Sequence, residues 1–111
     1  MPGVARLNDS IQGMTSGEHS GHAPPHAPST ITGNISGNCS PNVFVNGLPA
    51  AYVGSITTEH DACCGTNSGS VAEGSSTVFC NGKPLSRIGD AITPHNGTAS
   101  ITGGSSDVFC N

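Results

Sequence analysis

The chain has 111 residues and a formal net charge of −4, with three Lys and Arg against seven Asp and Glu. So few cations exclude nucleic-acid binding driven by phosphate contacts, and no apolar run approaches the ~20 residues of a membrane span. Leu, Ile, Val and Phe together make only 20 of the 111 residues, a thin core that calls for a staple: a disulfide, a metal or a partner subunit.

The length predicts one domain over residues 1–111. Sixteen Gly and eight Pro predict many turns, and no 3.6-residue apolar period supports a long helix. Five cysteines are an odd number, which excludes a complete disulfide framework and favours free thiols or a metal site. Met1-Pro2-Gly3 opens no charged or apolar leader, so synthesis in the cytoplasm without a signal peptide is expected.

Residues 1–9 read as a strand ending in Arg6-Leu7-Asn8-Asp9. Residues 10–34 are polar and carry His19, His22 and His26 among Pro24, Pro25 and Pro28. The prolines forbid a helix interior, leaving either an open loop or one tied down through its histidines. Residues 35–55 hold a hairpin. Val43-Phe44-Val45 leads into Asn46-Gly47, the strongest two-residue signal for a type I′ turn, and Leu48 to Ser55 returns. Residues 56–74 read as a connector with His60, Cys63 and Cys64. Residues 75–90 repeat the hairpin around Asn81-Gly82, and residues 91–104 form a shorter connector with His95. A third copy is cut in two: Val108-Phe109-Cys110-Asn111 ends the chain and Gly3 to Asp9 begins it. The expected fold is mainly β, a small cone of three pseudo-threefold hairpins, the third made by both termini together, with the connectors gathered at one apex.

Period-2 alternation puts Val43, Val78 and Val108 on one face and Phe44, Phe79 and Phe109 on the other. One set is expected to fill the axis and the other to pack outward or on a base, and simple packing of the three Phe, at roughly 1.5–3 kcal/mol each when buried, is favoured over a ligand-binding aromatic cluster. Cys39, Cys80 and Cys110 read as small core residues. Arg6 with Asp9, and Arg87 with Asp90, are expected to form local pairs or cap turns, and as partly exposed pairs to be worth under about 1 kcal/mol each. Tyr52 and Ser55 replace both members in the middle copy.

The connectors carry the chemistry. His60 follows Tyr52 by eight residues and His95 follows Arg87 by eight, while the first connector offers histidines displaced by an insertion. Three equivalent loops around a threefold axis bring three imidazoles together, and Cys63 can add a thiolate. Three His and one Cys suit tetrahedral zinc, and metal binding would strengthen a thin core. His22, His60, Cys63 and His95 are the expected ligands, with His26, His19 and Cys64 as alternates. A filled set of four leaves no position for water, which argues for a structural metal. Cys63 with His60 or His95 could also be drawn as a nucleophile pair, but no oxyanion hole or substrate cleft accompanies it, so no enzyme is expected.

Asn-Gly-Leu-Pro-Ala-Ala-Tyr-Val-Gly-Ser (46–55) and Asn-Gly-Lys-Pro-Leu-Ser-Arg-Ile-Gly-Asp (81–90) resemble the proline-alanine-alanine-arginine repeat, the PAAR motif. Pro49-Ala50-Ala51 keeps three of its letters, Pro84 and Arg87 keep the first and last, and Ala5-Arg6 stands in the split copy. The resemblance implies a structural tip that caps and sharpens the trimeric β-helical spike of a contractile injection machine, for piercing a cell envelope. It implies one tip per spike trimer, bound through a flat base, and not a homo-oligomer by itself. It also implies a zinc held near the point by three His and one Cys, roles that fall here to His22, His60, Cys63 and His95. A phage baseplate is preferred, since no effector domain follows Asn111; a type VI secretion system or an extracellular injection particle comes next. The mature protein would sit at the tip of the spike and touch the target membrane only transiently. The alternative is a free-standing zinc-binding interaction module; a small Cys-His hydrolase stands third.

Overall fold

The computed structural model describes residues 2–14, 30–61, 65–94 and 97–110. All regular structure among them is β: β1 (Ser10–Met14), β2 (Thr30–Gly37), β3 (Phe44–Val45), β4 (Leu48–Pro49), β5 (Ile56–Asp61), β6 (Gly65–Val71), β7 (Phe79–Cys80), β8 (Lys83–Pro84), β9 (Ala91–Thr93) and β10 (Thr98–Ile101). The two expected hairpins are present as β3–β4 and β7–β8. Their turns hold Asn46 and Gly47 at φ 54° and 79°, and Asn81 and Gly82 at 53° and 82°, the paired positive values of a type I′ turn. The split hairpin also forms. Gly3 bridges Phe109, and the Val4 amide donates to the Val108 carbonyl at 2.9 Å.

Threefold repetition governs the backbone between copies. The Ala5 amide donates to Ser86 O, the Ser86 amide to Ala51 O, and the Ala51 amide to Ala5 O, each at 3.0 Å. These bonds close a triangle around the axis. A second ring joins Leu7 to Pro49 at 2.9 Å, Val53 to Pro84 at 3.0 Å and Ile88 to Gly3 at 2.9 Å. Close approach of three chains allows only small side chains at the triangle, and Ala5, Ala51 and Ser86 are all fully buried. Ser86 departs from the alanine of its two equivalents, and its hydroxyl has no hydrogen-bond partner among the described residues, a burial that costs about 1–3 kcal/mol.

Each copy then turns in the same way. Arg6–Asp9, Tyr52–Ser55 and Arg87–Asp90 close with bonds of 3.0, 2.9 and 3.1 Å from the fourth amide to the first carbonyl. The third residue is left-handed in every case, Asn8 at 76°, Gly54 at 98° and Gly89 at 96°. That places the turns in the type II class, where glycine or asparagine is needed at this position.

Among the described residues, the stretches read as connectors are largely strand. They form a closed six-stranded barrel in the order β1-β10-β9-β6-β5-β2, built from the hairpins β1–β2, β5–β6 and β9–β10. Its strands escape the alternation test because their inward positions include Gly13, Gly33, Gly69 and Ala99 between Ile11, Ile35, Val71 and Ile101. Their outward positions are largely Ser and Thr. The core is therefore double. Ile11, Ile35, Val71, Ile92 and Ile101 fill the barrel against Ala5 and Ala51. Val4, Val45, Ala50, Tyr52, Cys80, Leu85 and Cys110 form a second cluster on the hairpin side of the triangle.

The three Phe are not core. Phe44, Phe79 and Phe109 are 57%, 58% and 47% exposed. Val45, Cys80 and Cys110 are buried instead. The next residue back in each arm faces the opposite way, where no second layer covers it.

Candidate functional site: a threefold base and the far end of the barrel

The base hairpins are held in place by side chains that recur in each copy. Ser40, Ser75 and Ser105 are buried, and each Oγ accepts the amide three residues on, at 2.9, 2.9 and 2.8 Å. This is the local hydroxyl-to-backbone bonding that favours serine in turns. The turn asparagines then reach across to a neighbouring copy. Asn46 Oδ1 accepts from Ser105 Oγ at 2.6 Å and from Arg6 Nη1 at 2.9 Å, and its amide donates to Asp107 at 2.8 Å. Asn81 Oδ1 accepts from Ser40 Oγ at 2.6 Å, and its amide donates to Asn42 at 2.9 Å. Hydrogen bonds from the Asn46 side chain, and next from Ser105, hold the Asp107 carboxyl below its ordinary range.

Between these hairpins lies an open hollow of about 520 Å³, lined by Val45, Cys80, Cys110, Leu85, Phe79 and Phe109 among others. The base is thus concave at its centre rather than flat. Burial pushes the Cys110 thiol up, against a smaller opposite pull from Arg87, so it stands in the hollow as a neutral, apolar group. A rim of exposed aromatic rings around an apolar centre is the kind of patch that marks an interaction surface.

The Arg–Asp turns brace the wall between base and barrel. Asp9 accepts from Arg6 N, Nε and Nη2 at 2.7, 2.8 and 2.9 Å. Asp90 accepts from Arg87 N, Nε and Nη2 at 2.7, 3.0 and 2.7 Å. In the middle copy Ser55 Oγ takes the backbone part of this role, accepting the Tyr52 amide at 3.0 Å. There the Lys83 ammonium lies 4.8 Å from the Tyr52 ring centre, supplying a cation where the copy lacks its arginine. Each carboxylate does both things expected of it, pairing with its arginine and capping a turn amide.

The opposite end of the barrel is where β1 leads to β2, β5 to β6 and β9 to β10. Among the seven candidate ligands, His60 is within the described residues. His19, His22, His26, Cys63, Cys64 and His95 lie outside them. His60 is exposed near the end of β5, directly opposite Thr66 of β6. Its Nδ1 lies 2.9 Å from Thr66 Oγ1. The described strand ends, Met14 beside Thr30 and Thr98, Asp61 beside Gly65, and β9 running into β10, bring all three connections to this end. Sequence reasoning passes over Glu59, which alternation turns inward from its neighbour His60. It is fully buried in the barrel, in space left by Gly69, where a Cβ would stand 2.7 Å from its Oε1.

No curated protein matches the chain. A family model described as PAAR motif matches residues 21–94 and again 64–111. The two matches overlap, as expected for a repeat, and together they span most of the chain. They cover both complete hairpins, with their Ser-led turns, Asn-Gly turns and type II turns. The chain belongs to the PAAR-motif family, whose members are structural proteins at the spike tips of type VI secretion and phage-like injection systems rather than enzymes.

Proposed function

We propose that this protein caps the trimeric β-helical spike of a contractile injection machine, a phage baseplate before a type VI secretion system or an extracellular injection particle. The observation that carries the reading is the base, where Phe44, Phe79 and Phe109 stand exposed at equivalent positions of the three hairpins, with Phe79 and Phe109 lining one apolar hollow. A single chain with this pseudo-symmetry can meet three identical subunits through nearly equal contacts. Aromatic groups that become fully buried at the centre of an interface carry a large share of its energy. The protein would remain monomeric until it meets the spike, and it would be made in the cytoplasm.

The test is titration against a trimeric β-helical spike protein, with mass and stoichiometry read by sedimentation. One chain per trimer is expected. Each of Phe44→Ser, Phe79→Ser and Phe109→Ser should weaken docking at least about tenfold, with the fold intact because the rings are exposed. A triple variant that docks like the wild type would remove the base from the reading.

At the other end, one structural zinc would be held by His22, His60, Cys63 and His95, with His26, His19 and Cys64 as alternates. The donor set fits the metal, since three imidazoles and a thiolate make a closed tetrahedral site. Support comes from the three connections that share the barrel end where His60 stands. When bound, the metal would tie those loops together and resist local unfolding under load at the point. Elemental analysis of untagged protein should find one zinc per chain. His60→Ala and His95→Ala should each lose it together with thermal stability, and a variant that keeps its zinc is thereby shown not to have lost a ligand.

A further inference from the structure

We infer that Thr66 is a positioning residue for metal binding by His60, holding Nδ1 so that Nε2 is the atom left to ligate. The inference rests on the zinc reading above. The register of β5 and β6 places the two residues directly opposite each other, and the Thr66 hydroxyl lies 2.9 Å from Nδ1. A neutral imidazole carries one N–H and one lone pair on different nitrogens. While no cation is bound, either partner can donate in this pair. A cation at Nε2 takes that lone pair, so the proton must reside on Nδ1 and be donated to the Thr66 oxygen. Ligation through Nδ1 would instead require the existing bond to break.

The barrel itself presents this threonine. Met14 follows Arg6 by eight residues, as His60 follows Tyr52 by eight. Met14 faces Thr30 across β1 and β2, and the Thr30 hydroxyl points at Met14 Sδ from 3.8 Å. The same cross-strand contact therefore occurs in two copies with different first partners. It follows from the strand register and the stiff χ1 of threonine, not from the histidine. A ring on an exposed strand is free to rotate, and ordering it costs affinity at the moment of binding. A fixed outer partner reduces that cost, and removing such a partner weakens metal affinity ~10–100-fold.

The test uses the full chain as wild type, Thr66→Val, Thr66→Ser and His60→Ala. Zinc affinity is measured by competition with a chromogenic chelator, and the His60 ring nitrogens of the zinc-loaded protein are read by ¹H–¹⁵N correlation. Thr66→Val is expected to lose about 10–100-fold in affinity, Thr66→Ser to keep it, and the spectra to show metal on Nε2 with the proton on Nδ1. A folded Thr66→Val chain with wild-type affinity, or metal on Nδ1, overturns the inference and leaves the zinc reading standing. A wild-type chain that binds no zinc, or His60→Ala binding as tightly as wild type, overturns the zinc reading and the inference with it. Should Thr66→Val fail to fold, the ring-nitrogen assignment of the wild type still decides.

Discussion

Asp90→Ala is expected to cost the folded protein about 3 kcal/mol, the lower end of what breaking a buried pair costs. Asp90 accepts three bonds from one residue, the Arg87 amide at 2.7 Å, Nε at 3.0 Å and Nη2 at 2.7 Å. Its side chain is 6% exposed against 22% for Arg87. Truncation strands a partly buried guanidinium and a turn amide at once. Partial exposure lets water return to the arginine, which is why the larger values of that range are not expected. Asp90→Ser separates the two contributions, because Ser55 shows that a serine can take the amide at this position. It should recover about 1 kcal/mol, the net worth of one hydrogen bond. Urea unfolding midpoints at fixed zinc, with unchanged m, give the comparison. A loss below about 1 kcal/mol would return the pair to the class of ordinary surface bridges.

Gly33→Ala is expected to cost about 3 kcal/mol or more, at or beyond the top of the usual range for overpacking. A Cβ on Gly33 would stand 2.0 Å from Thr58 O and 2.9 Å from the Glu59 Cα. Both obstacles are backbone of the paired strand β5, so no rotamer change relieves them. The barrel would have to open between β2 and β5. Gly37 provides the control in the same strand. A methyl group there would meet nothing within 4 Å, and the residue is not left-handed, so Gly37→Ala should gain about 0.4–1 kcal/mol by restricting the unfolded chain. Thermal unfolding of both variants decides the matter. Equal stability of the two would mean that β2 and β5 can separate cheaply.

The two ends of the molecule are legible in the sequence to different degrees. Asn46-Gly47 and Asn81-Gly82 announce their hairpins because a type I′ turn is a local demand for positive φ. The repeated Val-Phe and Gly-Ser/Asp pattern gives the phase of the copies, and with it the hairpin shared between the termini. The eight-residue interval to His60 and His95 follows from that phase. The barrel escapes such a reading because a strand with Gly33 or Gly69 inside and hydroxyls outside shows no hydrophobic alternation. Glu59 escapes it for a related reason: a charged residue in such a stretch reads as solvent-facing, and only barrel closure buries it.

The turns, the threefold phase, the split third copy and membership of the family are all written in the chain, since each rests on residues near one another or on a repeated pattern. Which faces are covered is settled by the packed molecule alone. Alternation separates Val45, Cys80 and Cys110 from Phe44, Phe79 and Phe109, but does not say which set meets the axis. In the packed molecule Val45, Cys80 and Cys110 are buried and the three Phe stand exposed. Close approach makes glycine obligatory where strands β2 and β5 press together, and the exposed rings leave an apolar rim at the base. Burial is a property of what lies opposite a residue, and at the triangle and between β2 and β5 what lies opposite is another copy.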